Sequence, residues 1–217
     1  FISQTDTEVI LAAYDYWKDK CFEKFNGMWA FALLDKKKNQ IRICRDRYGV
    51  KPCYITKIKN RIIFSSEIKG VLASNQNFEL NPSLAFNLND VVREKYFKTI
   101  FSEINIVEPG HCYSIDIETL EINKKRWWLG LNNIPNISSN KKIIKEDLVN
   151  KLTKATEMRI ISDAKIATSL SGGIDSAIIF AILNQLKKTN QLDLNPFIVN
   201  YNTNKTFDAA VNFANSF

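Results

Sequence analysis

The sequence predicts two domains of different fold class, an α+β domain built mainly from antiparallel strands and then an α/β domain with a parallel sheet. Apolar runs of strand length, such as "MWAFALLD" and "IRICRD", are separated by short polar turns in the first part. Strand-like and helix-like segments alternate in the last part, which is typical of a parallel sheet with crossover helices. At 217 residues and 45% hydrophobic, the chain is long enough to bury both cores.

The first domain is predicted to open with a helix. Thr5 and Glu8 in "TDTEVILAAYDYW" have the spacing of a capping box, in which each side chain bonds the other residue's backbone. Apolar residues then recur on one helical face, namely Val9, Ile10, Ala13, Tyr14 and Trp17. Gly27 is the predicted C-cap of a short second helix.

Three antiparallel hairpins are predicted after this helix. The first joins "MWAFALLD" to "IRICRD" through "KKKNQ", and the second joins "CYITKI" to "RIIFSS" at Lys59 and Asn60. "SEIKGVLAS" has a helical pattern, and the third hairpin turns near Glu118 and Thr119. The first part of the chain is therefore predicted to be α+β and dominated by antiparallel strands.

The composition and the pattern of apolar residues change from about residue 130. "GLNNIPNISSNKK" has the Asn, Ser, Gly and Pro density of a linker. A helix is predicted over "KEDLVNKLTKATEMRII", with an apolar face at Leu148, Leu152, Ala155 and Ile160. A strand "KIATSL", a helix "SAIIFAILNQLKK", a strand "PFIVNY" and a helix "DAAVNFANSF" follow.

Composition excludes several classes of function. The net charge of +7 comes from scattered lysines rather than from a basic stripe, so nucleic-acid binding is not expected. The four cysteines have no C-x-x-C spacing and there is a single histidine, His111, which argues against a zinc site. No apolar run reaches membrane-spanning length, and a cytoplasmic protein is predicted. Because the chain opens at Phe1 and ends within a helical pattern, we expect a piece of a longer protein.

The stretch "SLSGGIDS" stands between a predicted strand and a predicted helix, the place where parallel α/β sheets bind anions. Gly172 and Gly173 let backbone approach an anion, Ser171 and Ser176 add hydroxyl groups, and Asp175 can cap the helix or help to hold a magnesium ion. The loop is neither a Walker A loop nor a G-x-G-x-x-G motif, and it suits a pyrophosphate group. The alternative is an ordinary tight turn with a helix cap.

Both parts of the chain resemble a known family. "SLSGGIDSA" resembles the PP-loop of ATP pyrophosphatases. The first part carries in order "TDTEVIL", "FNGMWAFALLD", "RDRYGVKPCYI", "FSSEIKGVL" and "EPGHCYSID". Together these resemble the glutamine-hydrolysing asparagine synthetases. The resemblance implies an Ntn-hydrolase-like αββα sandwich, partial, followed by part of an adenine-nucleotide α-hydrolase-like PP-loop domain. It places the class II amidotransferase domain at 1–128, a linker at 129–142 and the start of the ATP-binding domain at 143–217.

The resemblance also implies roles for individual residues. Asp6 matches an acidic residue that binds the α-ammonium group of glutamine, although a plain helix N-cap is the alternative. Val199 matches a position that contacts adenine, with a buried strand valine as the alternative, and Asn200 replaces the usual glycine. Asp208 matches an acidic position without an assigned role. The implied ATP-binding residues are Leu170, Ser171, Gly172, Gly173, Ile174, Asp175, Ser176 and Val199.

In this family an N-terminal cysteine attacks glutamine. No cysteine of this chain matches that nucleophile, so we expect no catalytic residue in this piece and no glutaminase turnover from residues 1–217 alone. The 45–53 segment is expected to be framework first, with no assigned function.

The implied reaction is the synthesis of asparagine from aspartate and ATP through β-aspartyl-AMP, with glutamine supplying ammonia. ATP and Mg²⁺ are the implied cofactors; glutamine, aspartate and ATP are the small-molecule partners, and the resemblance allows a homodimer. A related amidotransferase acting on another carboxylate, in polysaccharide or antibiotic biosynthesis, and a catalytically dead remnant are the alternatives.

Overall fold

The computed structural model describes residues 1–74, 77–85, 98–130, 139–162, 164–190, 194–199 and 205–216. The chain divides into two compact units, Phe1–Asn133 and Ile134–Phe217. Within the described ranges, no helix combines the length and the apolar character that crossing a membrane requires. The predicted linker falls largely on residues 131–138, which lie outside the described residues.

The first unit contains short helices and seven strands within its described part. In chain order these are α1 (Asp6–Trp17), a 3-10 turn (Lys18–Lys20), α2 (Cys21–Lys24), β1 (Ala30–Asp35), β2 (Gln40–Arg45), β3 (Tyr54–Ile58), β4 (Arg61–Ser65), α3 (Ile68–Leu72), α4 (Pro82–Ala85), β5 (Asn105–Ile106), β6 (His111–Asp116) and β7 (Ile122–Arg126).

These strands form two antiparallel sheets, ordered β1-β2-β6-β7 and β4-β3-β5. All three predicted hairpins are confirmed. In the first, Asp35 lies opposite Gln40. In the second, Ile58 lies opposite Arg61, so that Lys59 and Asn60 are its two turn residues. The third joins β6 to β7.

The β2–β6 pair has two buried faces because successive strand residues point to opposite sides. On one face, Cys44 and Cys112 pack with residues of α1 and α2. On the other face, Ile43 and Tyr113 pack with Ile55 of β3. Helices, the four-stranded sheet and the second sheet therefore form successive layers in this unit.

Three local predictions for the first unit are wrong. The Thr5 side chain makes no capping bond to α1. Instead the Glu8 carboxylate accepts hydrogen bonds from the backbone N–H groups of Ile2 and Ser3, at 2.7 and 2.6 Å. Val9 and Trp17 are exposed rather than part of a buried face. Gly27 is not a C-cap, because α2 ends at Lys24 and Phe25 continues in extended conformation.

The second unit alternates helices and strands as predicted. Its elements are α5 (Lys141–Glu157), β8 (Ile166–Ser169), α6 (Ile174–Asn190), β9 (Leu194–Phe197) and α7 (Lys205–Ala214). The pairing of β8 with β9 is parallel, with Ile166 opposite Leu194 and Ser169 opposite Phe197. The core is formed by Leu170, Phe180, Leu183, Leu194 and Ala210.

Two boundaries in this unit differ from prediction. The strand predicted over "PFIVNY" begins two residues earlier, at Leu194, and ends at Phe197. In α5, Leu148 is exposed while Thr156 is buried, and Ile160 follows the helix rather than completing its apolar face. Asn140 caps α5 by accepting a hydrogen bond from the Lys142 N–H at 3.0 Å.

Candidate functional site

The S-G-G-x-D-S loop lies at the carboxyl edge of the parallel strands. The Leu170 N–H donates a 2.9 Å hydrogen bond to the Phe197 carbonyl, which joins the start of the loop to the end of β9. The Leu170 side chain is buried in the core of the second unit. Because β8 and β9 are parallel, the residues that follow each strand share one edge of the sheet, the usual ligand-binding edge of such folds.

Two serine hydroxyls close the loop on itself. The Ser171 N–H donates to Ser176 Oγ at 3.2 Å, and the two Oγ atoms lie 3.0 Å apart. Ser176 Oγ also donates to the Gly173 carbonyl at 3.0 Å. The hydroxyl groups predicted to serve a ligand thus shape the backbone of the loop as well.

The two glycines have different roles in this loop. Gly172 has φ +81°, a conformation that side-chain-bearing residues rarely adopt. A Cβ added at Gly173 would lie 3.5 Å from Ser171 Oγ, which is an ordinary contact. The backbone itself therefore requires glycine at 172 only. At Gly173, the absence of a side chain leaves space on the exposed surface of the loop.

Helix α6 begins directly after the glycines. Its first i→i−4 bond runs from the Ala177 N–H to the Gly173 carbonyl, at 3.1 Å. The preceding N–H groups, those of Ile174, Asp175 and Ser176, belong to the helix N-terminus, where no intrahelical acceptor is available. Asp175 lies in this first turn and is exposed, as is Ile174. The helix start therefore presents donors and a partial positive charge at the sheet edge.

The structure places Val199 two residues beyond the end of β9, with its side chain 58% exposed. The alternative that it is a buried strand valine is wrong, because β9 ends before it. Val199 follows one parallel strand and Ser171 follows the other, on the edge described above. Asp208 is exposed in the first turn of α7, and Asn200 lies outside the described residues.

In the first unit, Asp6 is the first residue of α1, and Thr5 is its N-cap. The alternative that Asp6 itself is the N-cap is therefore wrong by one position. The exposed Asp6 lines a cavity of about 330 Å³ together with Asn26, Gly27 and Trp29. The sequence gives no sign that Asn26, Gly27 and Trp29 line a cavity with Asp6, although "FNGMW" is among the motifs of the resemblance.

The 45–53 segment forms a tightly bonded turn. The buried Asp46 carboxylate accepts hydrogen bonds from the N–H groups of Tyr48, Val50 and Lys51, at 3.1, 3.0 and 3.1 Å. Arg45 is also buried, and its guanidinium donates to the carbonyls of Gly49, Lys51 and Val107. The predicted framework role agrees with these contacts, all of which serve the chain's own backbone.

The four cysteines of the chain are buried free thiols. Burial raises the pKa of Cys21 to about 11 and the pKa of Cys53 to about 11. The reactive species is the thiolate, so both thiols are largely protonated near neutral pH.

Comparison with known families supports both parts of the resemblance. The family model described as the glutamine amidotransferase domain matches residues 1–128. The chain belongs to this glutamine amidotransferase family. The model described as asparagine synthase matches residues 147–216. The predicted resemblance to glutamine-hydrolysing asparagine synthetases is confirmed.

Two relatives cover nearly all of the chain. It is 36% identical to a Methanocaldococcus jannaschii protein provisionally named asparagine synthetase (glutamine-hydrolysing) 2, over 87% of this chain and 37% of that protein. It is 30% identical to the Bacillus subtilis asparagine synthetase (glutamine-hydrolysing) 3, over 97% of this chain and 34% of that protein. The chain thus spans about a third of each relative's length.

Among solved structures, an allosteric regulatory enzyme of purine biosynthesis is similar to this chain with a TM-score of 0.43 and 16% identity. That similarity covers 95% of this chain and 41% of the solved one.

Proposed function

We propose that this chain takes part in the ATP-dependent synthesis of asparagine from aspartate, with ammonia supplied by glutamine hydrolysis. The observation that carries the proposal is the succession of two family matches in one chain, glutamine amidotransferase at 1–128 and asparagine synthase at 147–216. An ammonia-releasing domain followed by an ATP-using domain is what a glutamine-dependent ligase requires. Both of the relatives described above are named as glutamine-hydrolysing asparagine synthetases.

The proposed ATP site is the carboxyl edge of β8 and β9. Gly172 and Gly173 bring backbone to the ligand, and Ser171 and Ser176 offer hydroxyl groups. The N-terminus of the 17-residue helix α6 suits the negative charge of the phosphates. Leu170 and Ile174 flank this phosphate cradle, and Val199 is proposed to contact adenine from the end of β9.

The residues present fit a magnesium ion that arrives with the phosphates of ATP. Within the described ranges, no three His, Cys, Asp or Glu side chains converge as a metal site. Mg²⁺ commonly binds through one or two carboxylates together with substrate phosphates, and the exposed Asp175 can supply such a carboxylate. When bound, the ion would neutralise part of the triphosphate charge.

The proposed chemistry uses this site in two steps. The aspartate β-carboxylate attacks the α-phosphorus of ATP, which gives β-aspartyl-AMP and releases pyrophosphate. Ammonia then attacks the activated carbonyl and displaces AMP, which gives asparagine. The loop is proposed to hold the β- and γ-phosphates, so that it stabilises the charge of the departing pyrophosphate.

In the first unit, we propose that Asp6 binds the α-ammonium group of glutamine in the cavity beside Asn26 and Gly27. The layered arrangement of helices and two sheets supports an Ntn-type αββα class for this unit. The β8–loop–α6 succession supports a PP-loop, adenine-nucleotide α-hydrolase-like class for the second. We further propose domains at 1–128 and 143–217 with a linker at 129–142, a cytoplasmic location and a homodimer.

The ATP site can be tested by calorimetric titration of the chain with Mg²⁺-ATP. Ser176→Ala removes the acceptor of the Ser171 N–H and the donor to the Gly173 carbonyl. We expect about five- to tenfold weaker binding, since a hydrogen-bonded group of this kind contributes about 1–1.5 kcal/mol. The matched control is Ser162→Ala, because Ser162 is an exposed serine of the same unit that precedes β8. Equal affinities for both variants would contradict the proposed site.

The acceptor is tested separately, by supplying the full-length protein, rather than residues 1–217 alone, with glutamine, ATP and a panel of carboxylates. Asparagine formation in the presence of aspartate is the expected result. Amidation of another carboxylate but not of aspartate would instead support a related amidotransferase.

A further inference from the structure

We propose that Cys44 and Cys112 are a covalent modification site, at which hydrogen peroxide converts two buried thiols into an intramolecular disulfide that joins β2 to β6. The inference is independent of the proposed ATP and glutamine sites. It rests on the position of the two thiols in the sheet and on their chemical surroundings.

The two cysteines are direct partners in the antiparallel register of β2 and β6. Their Sγ atoms lie 2.8 Å apart, within the buried core. Directly opposed residues of an antiparallel pair have Cα atoms about 4.5–5.5 Å apart. This separation falls within the about 4.4–6.8 Å that a disulfide spans, so a bond between the two requires no movement of either strand.

The other two cysteines are placed differently. Cys53 belongs to the core on the opposite face of the four-stranded sheet. Cys21 packs in the same cluster as the pair, but it comes from helix α2 rather than from a paired strand. The register therefore selects Cys44 and Cys112 as partners, with Cys21 as the neighbour that a careful test has to exclude.

The charges around the pair favour Cys112 as the first thiol to react. The pKa of Cys112 is lowered, first because the Cys44 thiol donates a hydrogen bond to it and then because the guanidinium of Arg42 is close by. Burial raises the pKa of Cys44. Asp19 pairs with Arg42 and opposes part of its effect on Cys112. The more acidic thiol carries the larger fraction of thiolate, which is the species that attacks a peroxide.

The reaction balances with hydrogen peroxide as the oxidant. The Cys112 thiolate attacks one peroxide oxygen, the O–O bond breaks, and Cys112 becomes a sulfenic acid while hydroxide leaves and takes up a proton as water. Cys44 then attacks the sulfenic sulfur, its proton passes to the departing hydroxyl group, and a second water is released. Two thiols are oxidised to one disulfide and one peroxide is reduced to two waters.

The consequence is a cross-link beside the Arg45–Asp46 turn. Cys44 is the residue before Arg45, and Cys112 follows two residues after Gly110, whose N–H donates to the Asp46 carbonyl at 2.8 Å. The cross-linked residues are 68 positions apart, and closing so long a loop restricts the unfolded chain strongly. We expect the midpoint of thermal unfolding of the first unit to rise by about 10 °C after oxidation.

The experiment treats the chain with hydrogen peroxide, unfolds it in N-ethylmaleimide and measures intact mass and tryptic peptides. The expected product has two alkylated cysteines instead of four and a linked peptide pair, Ile43–Arg45 with Thr99–Lys124. Cys44→Ala and Cys112→Ala should each abolish the link and the rise in midpoint. Cys112→Ser serves in place of either alanine variant that fails to fold. Cys53→Ala is the matched control and should keep both.

Three outcomes would overturn the proposal. They are four alkylated cysteines after treatment, a link that joins Cys21 to either strand cysteine, and oxidation that stops at sulfinic acid on either residue. A rise in midpoint that persists in Cys44→Ala would contradict it as well, because the stabilisation would then have another origin.

Discussion

The Asp46 carboxylate holds the turn that follows it from a buried position. It accepts hydrogen bonds from three backbone N–H groups that follow it in the sequence and from the Trp29 N–H at 3.3 Å. Trp29 directly precedes β1, and Asp46 directly follows β2, the strand that pairs with β1. The sequence indicates a turn at "RDRYGVKP", since Gly49 and Pro52 favour one. The inward direction of Asp46 could not be inferred from local patterns alone, because it also depends on Trp29, which lies 17 positions away in the sequence.

Asp46→Ala should destabilise the first unit by about 2–4 kcal/mol, because several backbone donors lose their shared acceptor at a buried site. The measurement is urea unfolding followed by tryptophan fluorescence, which reports on this unit alone because all four tryptophans lie within it. Asp15→Ala is the control, since the Asp15 side chain is 83% exposed and pairs only at the surface with Lys18. The control should change stability by less than about 0.5 kcal/mol. Equal effects of the two substitutions would show that burial of Asp46 has no energetic consequence.

At the scale of elements, hairpins were predictable and the ends of helices and strands were less so. Alternating apolar runs with short polar turns located all three hairpins correctly. Strand β9 was predicted to start at Pro196, but parallel pairing with β8 and burial of Leu194 extend it two residues towards the N-terminus. Pro196 is tolerated there because β9 lies at an edge of the described two-stranded sheet. Tertiary pairing, rather than local propensity, sets that boundary.

The turn between β3 and β4 offers a test at this scale. Lys59 has φ +49° at the first of the two turn positions. Lys59→Gly should stabilise the first unit by about 0.5 kcal/mol, because glycine adopts this conformation without steric cost. Lys37→Gly is the control in the β1–β2 turn. It should be neutral or destabilising, because Lys37 is not among the residues of positive φ. The readout is again the fluorescence midpoint in urea, and destabilisation by Lys59→Gly would contradict the strain argument.

At the scale of the whole molecule, each unit has its own apolar core. Among the residues that the structure describes, two clusters of buried side chains belong to the first unit and one to the second. The alternation of strands and helices predicted the change of class between the two. The roles proposed for Asp6 and Val199 rest on the family resemblance, because neither side chain is distinctive in its local sequence.

Ala210→Asp should unfold the second unit and leave the first intact. Ala210 is 0% exposed, and an unpaired charge in that core should cost about 3 kcal/mol or more. We expect loss of helical circular dichroism and an unchanged tryptophan transition. Ala209→Asp, at the exposed neighbouring position, should preserve both signals. A tryptophan midpoint that moves with Ala210→Asp but not with Ala209→Asp would contradict independent cores.

The two serine hydroxyls that close the glycine loop have a consequence for ligand capture. Because Ser171 and Ser176 already bond one another and the loop backbone, the conformational entropy of that loop is lost when the chain folds. A phosphate bound as proposed would find a preorganised loop, so that little of its binding free energy would be consumed in ordering the protein. To bind, the phosphate oxygens would have to take the place of acceptors in hydrogen bonds that the loop now makes within itself. Selectivity for a strong multivalent acceptor such as pyrophosphate over a lone water is the expected result.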